Sequence, residues 1–216
     1  GIVGYGMGAS NCRNYGRITA SASASSDSYA AGILGYSGGT VSRCYNAGQI
    51  RATNARRSFA AGICGKNTAN VTSCKNEGTI YAHTAYNDEN DALYALAGGI
   101  CGSNFATVSY GENYGFIQAD STSSHAYAYA GGIAGYKGTI TNCYNTCSVT
   151  ATLTSSIFTN NTCAIVGGIV GSNSNGHIEN CYNSGDVSAT STLAYAYAYA
   201  YAGGIAGDTN DTITNC

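Results

Sequence analysis

The tetrapeptide Gly-Ile-x-Gly returns seven times in 216 residues, starting at Gly1, Gly32, Gly62, Gly99, Gly132, Gly168 and Gly204. The intervals are 31, 30, 37, 33, 36 and 36 residues, which makes six full repeats and a truncated seventh. A unit of that size cannot bury an apolar face alone, so neighbouring units must stack and supply the core together. Any fold must therefore bring equivalent positions of successive repeats side by side.

Alignment on the motif yields residue columns. An apolar column (Ala9, Val41, Val71, Val108, Ile140, Ile178, Ile213) leads three residues later to Cys12, Cys44, Cys74, Gly111, Cys143, Cys181 and Cys216. Two residues on stand Asn14, Asn46, Asn76, Asn113, Asn145 and Asn183, then Gly16, Gly48, Gly78, Gly115, Cys147 and Gly185. Ile18, Ile50, Ile80, Ile117, Val149 and Val187 follow, and then Ala20, Ala52, Ala82, Ala119, Ala151 and Ala189. From this Ala to the apolar position before the next motif the length runs 9, 7, 14, 10, 14 and 12 residues, so one connection is free.

Apolar spacing within a repeat is 2, as in Ile50/Ala52, and glycine interrupts every ten residues or so. That pattern excludes helical repeats and reads as strand–turn–strand. Propeller blades need about 40 residues or more. The pattern predicts an all-β fold: one domain over 1–216, a right-handed parallel β-helix (β-solenoid) of six to seven coils of 30–37 residues. Three short strands per coil are expected. At roughly 4.8 Å between coils the rod is about 30 Å long. Stacked asparagines predict an amide ladder at a bend. The glycine two residues later is expected to supply a positive φ, and Cys147, which breaks that rule, to distort the fifth coil.

The stretches Gly131-Gly132-Ile133-Ala134-Gly135 with Gly138-Thr139-Ile140-Thr141-Asn142-Cys143-Tyr144-Asn145, and Gly167-Gly168-Ile169-Val170-Gly171 with Ile178-Glu179-Asn180-Cys181-Tyr182-Asn183-Ser184-Gly185-Asp186-Val187, resemble the GLUG repeat of bacterial surface proteins. Large adhesins and exoproteins of the IgA-protease type carry such repeats. The resemblance runs through the whole chain. It implies a right-handed β-helical stalk of an exported protein, extracellular or at the cell surface, and no catalysis.

Ten cysteines in a short exported chain point to a disulfide framework. Cys12, Cys44 and Cys74, and again Cys143, Cys181 and Cys216, share one column, where they serve equally well as stacked small hydrophobes. Cys64 and Cys101, at the third motif position of adjacent coils, are the candidate disulfide, with Cys147 and Cys163 a weaker pair. No C-x-x-C pair occurs, and His83, His125 and His177 stand apart, so no metal or other cofactor is expected. The alternating tracts at Tyr127 and Tyr129 and at Tyr195, Tyr197, Tyr199 and Tyr201 put Tyr on one face and Ala on the other. Which face is inward is left open. Outward rings would offer contacts to carbohydrate or to other rods.

Residues 1–75 hold eight Lys/Arg and one acid; residues 76–216 hold one Lys and ten acids. In a solenoid sequence order is axial order, so one end is basic and the other acidic. Arg13 and Arg17 at one end and Asp208 and Asp211 at the other are candidate head-to-tail contacts. A near-neutral total charge argues against nucleic-acid binding, and no apolar run reaches the roughly 18 residues of a membrane span. Dispersed acids, and the absence of G-x-S-x-G and P-loop motifs, argue against an enzyme. The expected function is an extracellular structural element that builds a filament by stacking solenoid ends. The alternatives are a stalk or carbohydrate-binding segment of a larger surface adhesin, and an ice-binding solenoid, which the uneven free connection disfavours.

Overall fold

The computed structural model describes the chain except residues 24, 86–91, 124, 156–161 and 194–197. Among the described residues all regular structure is β. The first coil contains β1 (Val3–Gly6), β2 (Ala9–Ser10), β3 (Arg13–Asn14), β4 (Ile18–Ser21) and β5 (Asp27–Ala31). Each strand recurs once per repeat, and the copies stack into five sheets. The β1 and β2 sheets have seven strands; the β3, β4 and β5 sheets have six. All pairings are parallel and keep the columns in register, as in Ala9–Val41–Val71 and Ile18–Ile50–Ile80. Five strands per coil replace the three expected. Two-residue strands such as β2 and β3 are too short to show a period in sequence.

The bend between β2 and β3 has a fixed conformation. Asn11, Arg43, Ser73, Tyr110, Asn142, Asn180 and Asn215 all lie at φ between 51° and 54°. This left-handed column sits one residue before the cysteine column. Asparagine, present at four of the seven positions, tolerates it best among residues with a side chain. The glycines after the asparagine column do not have the positive φ expected of them. They are small for another reason: a Cβ on Gly78 would collide with the carbonyl oxygen of Gly48 one coil away. At Cys147 the register and both Asn145 turn bonds persist, with the Cys147 N–H 3.4 Å from Asn145 Oδ1 against 3.2–3.3 Å in the glycine coils. The expected distortion amounts to that lengthening.

Two apolar cores run along the rod. One lies between the β4 and β5 sheets and is filled by Ile50, Ile80, Ile117 and Leu153 with a lining of alanines. The other is enclosed by the β1 and β2 sheets and the β2–β3 bend, and holds Ile33, Leu34, Val41, Cys44 and their counterparts. A fully buried Ile or Leu contributes about 1.5–3 kcal/mol, so each coil anchors itself in both cores. Between them the coil narrows to a waist. On one side of it stand the motif glycines, on the other the asparagine column. A Cβ on Gly62 would strike Asn76 Oδ1 and the carbonyl oxygen of Gly99, which explains why the motif requires glycine there.

Candidate functional site

Asn14, Asn46, Asn76, Asn113, Asn145 and Asn183 stack through the waist. From Asn14 to Asn145 each Nδ2 donates to the Oδ1 of the next coil at 2.6–2.8 Å. It also donates to the carbonyl two residues on, as Asn76 does to Gly78 at 2.8 Å. The Oδ1 in turn accepts the N–H two residues on, at 3.2 Å for Gly78. The inner amides, Asn46, Asn76, Asn113 and Asn145, are thereby used in full while buried, the condition under which a polar column adds to stability. A second, shorter ladder escaped sequence reasoning. Asn67 Nδ2 donates to Asn104 Oδ1 at 2.8 Å where β1 strands turn toward β2 strands. Its signal was the recurrence of Asn67, Asn104 and Asn173 at one offset from the motif.

All ten cysteines are thiols in this structure. Cys64 and Cys101 are register partners in the β1 sheet and fully buried. The cysteine column lines the bend. Each thiol donates to the carbonyl two residues back, as Cys44 does to Ser42 (3.2 Å) and Cys181 to Glu179 (3.3 Å). The sulfur also accepts a backbone N–H from the coil before it: Cys44 N–H to Cys74, Gly111 N–H to Cys143, Cys181 N–H to Cys216. Cysteine suits a position that must be apolar and yet satisfy backbone groups freed by the bend. Cys12 and Cys216, at the ends of the column, are half-buried and exposed.

The tyrosine tracts resolve with Ala inward and Tyr outward. Ala126, Ala128 and Ala130 join the core beneath the β5 sheet, whereas Tyr127 and Tyr129 lie on its outer face. Tyr129 is nevertheless almost covered, stacked on Tyr136 at 5.6 Å, and burial raises its phenol far above the ordinary value. Tyr127 is half-buried against Tyr94 at 5.2 Å. Tyr199 and Tyr201, in the last complete coil, are exposed. Tyr195 and Tyr197 lie outside the described residues.

These rings are covered because the waist leaves a groove on the outside. Its β5 wall carries the column Tyr29, Phe59, Leu96, Tyr129, Ile165 and Tyr201. The β1 wall carries Tyr5, Tyr36, Lys66, Ser103, Tyr136, Ser172 and Asp208. Edge contact of Tyr29 with Tyr36 at 6.1 Å closes the groove near one end. It opens where the small pair Leu96 and Ser103 interrupts both columns, in a cavity of about 270 Å3. Lys66 and Lys137 reach over it, each about 5.5 Å from the Phe105 ring. Arg57, at one side, is clamped by Asp27 through two bonds of 2.8 and 2.7 Å.

Arg13 is exposed in β3, and Arg17 is exposed just before β4. Asp208 is on the β1 wall, and Asp211 accepts the Gly176 N–H at 2.7 Å before the last β2-sheet strand. The basic and acidic residues thus sit on different sheets, and an in-register stack of two copies would not bring them face to face. His83 does not stand alone as its sequence position suggested. It pairs in register with Asp120 on the β4 sheet, where burial pushes the imidazole down and the carboxyl up, both toward neutrality. Among the described residues no three His, Cys, Asp or Glu side chains converge as a metal site. Among the described residues no helix is long and apolar enough to cross a membrane.

The GLUG motif model matches residues 162–188, from the β5-sheet strand of the fifth coil to the start of the β4-sheet strand of the sixth. Among solved structures the chain is similar to a crystal structure described as a "putative immunoglobulin A1 protease" from Bacteroides ovatus. Identity is 19%, the TM-score is 0.46, and the alignment covers 92% of this chain and 66% of that one. A search of curated proteins returns no match.

Proposed function

We propose that this chain is a structural, non-enzymatic rod of a secreted or surface-exposed protein, extended at its ends by a further copy stacked head to tail. The observation that carries this reading is the contrast between the middle of the rod and its ends. Ile33, Ile63, Ile100, Ile133 and Ile169 are fully buried, whereas Ile2 is 50% exposed and Ile213 40%. Each terminal coil also presents one unpaired edge of its strands, a template for another parallel strand. Repeat rods need such ends covered. Coils of a longer surface polypeptide would cover them equally well, which is the second reading. The GLUG-motif match supports a surface or secreted setting for both.

In-register edge pairing, rather than the Arg13/Arg17 and Asp208/Asp211 charges, is the contact that the sheet geometry favours. Electron microscopy of the purified chain tests the proposal. Uniform filaments with an axial repeat of about 30 Å, the rod length from coil spacing, are expected, and their length should change little as salt is raised. Dispersed short rods at all concentrations would reject self-stacking and leave the longer-polypeptide reading.

A further inference from the structure

We propose that the opening in the groove at Leu96 and Ser103 is a binding site for an acidic sugar, a pyranose ring bearing a carboxylate or sulfate. The first argument is shape. The β5 and β1 walls are filled by large side chains on either side, Phe59 and Tyr129 on one wall, Lys66 and Tyr136 on the other. Between them the small pair Leu96 and Ser103 leaves room, and the cavity opens there. A cavity of about 270 Å3 falls just below the roughly 300–1,000 Å3 of sites for drug-sized ligands, which suits one sugar ring with its substituents.

Charge is the second argument. Lys66 Nζ and Lys137 Nζ lie 5.4 and 5.5 Å from the same Phe105 ring. Lys66 also lies 5.7 Å from the Tyr36 ring, and Lys137 lies 5.0 Å from that of Tyr136. The rings hold two ammonium groups over one opening, and among the described residues neither has a carboxylate partner. Arg57 is already neutralised by Asp27. Two unneutralised cations above an apolar floor select an anion, because each charge-assisted hydrogen bond gains strength where water is excluded.

The third argument is the kind of anion. Three hydroxyl-bearing residues, Ser103, Tyr94 and Tyr136, are among those that line the cavity, a composition that matches a ligand rich in hydroxyl groups. A long polyanion laid in the groove would leave the lysines and meet Asp208, which follows Ser103, Tyr136 and Ser172 on the same wall. The site therefore fits a short acidic saccharide better than a nucleic acid.

The test is calorimetric titration of the full chain with a galacturonic acid trisaccharide, its neutral galactose counterpart and a short single-stranded oligonucleotide. Binding of the acidic trisaccharide is expected, weakened by salt, with the neutral one at least about tenfold weaker. Ser103→Tyr continues the tyrosine column of its wall, fills the cavity and should abolish binding while the melting temperature holds. Lys137→Gln gives an independent reading, with about a tenfold loss expected, should Ser103→Tyr not fold. Equal affinity for neutral and acidic sugars, no binding at millimolar ligand, tighter binding of the oligonucleotide, or a Lys137→Gln variant that binds like the parent would each overturn the assignment.

Discussion

A side-chain amide in the waist does work that no single hydrogen bond would. Asn76 donates to Gly78 and Asn113, and accepts from Asn46 and Gly78. Asn76→Ala leaves four buried groups short of a partner, and unfolding in urea should show a loss of about 3 kcal/mol. Asn183→Ala, at the half-buried end of the ladder, should cost about 1 kcal/mol in the same assay. Thiols give a pH signature. Burial pushes Cys163 from 9.0 up to about 12, with Asp208 adding to the shift. The folded chain then holds a proton that the unfolded chain releases, so the contribution of this group is complete below pH 9 and is lost as pH rises toward 12. Melting temperature should fall through that window, less steeply in Cys163→Ala; parallel curves would reject the role of this thiol. The asparagine column was legible in sequence because one residue type recurs at one offset. The left-handed column beside it was not: Asn11, Arg43, Ser73 and Tyr110 share φ and nothing else, because the bend imposes the angle whatever the side chain.

Strand orientation is decided one level up. Alternation in the tyrosine–alanine tracts showed that a strand has two unlike faces, yet parity could not be carried from Tyr201 through a bend at Gly203-Gly204 to Ile205. The structure settles it by volume: the core between the β4 and β5 sheets is narrow enough that Ala128 is fully buried, and a phenol ring has no room there. Ala128→Tyr should therefore prevent folding or remove several coils from the cooperative unit. Tyr127→Ala trims a half-buried stacked ring and should cost only about 1 kcal/mol. Circular dichroism with thermal melts separates the two; equal effects would contradict the Ala-inward arrangement. The groove lay beyond sequence reasoning for the same reason. It depends on two sheets meeting across a waist, and Leu96 and Ser103 become a cavity only when their distant columns are laid against each other.

At the scale of the whole molecule, the repeat lengths, the single stack of coils and the segregation of basic and acidic residues were all readable, because stacking makes axial order the same as chain order. The number of sheets was not, since five sides of two to seven residues leave no room for a period. The same identity of axial and chain order governs what happens when the two termini are drawn apart. Among the described residues each strand pairs only with those of adjacent coils, so tension meets one coil at a time and the rod should unravel as a series of discrete extensions. Each coil of 30 to 37 residues releases roughly 100–130 Å of chain at full stretch. In an optical trap the successive steps should follow the repeat intervals, two short, one long, one intermediate, two long, or the reverse if peeling starts at the other end. A single cooperative rip would show that the ladders bind the coils into one unit. A stepped trace would make the rod an extensible tether that yields in measured lengths and rewinds onto the coils still in place.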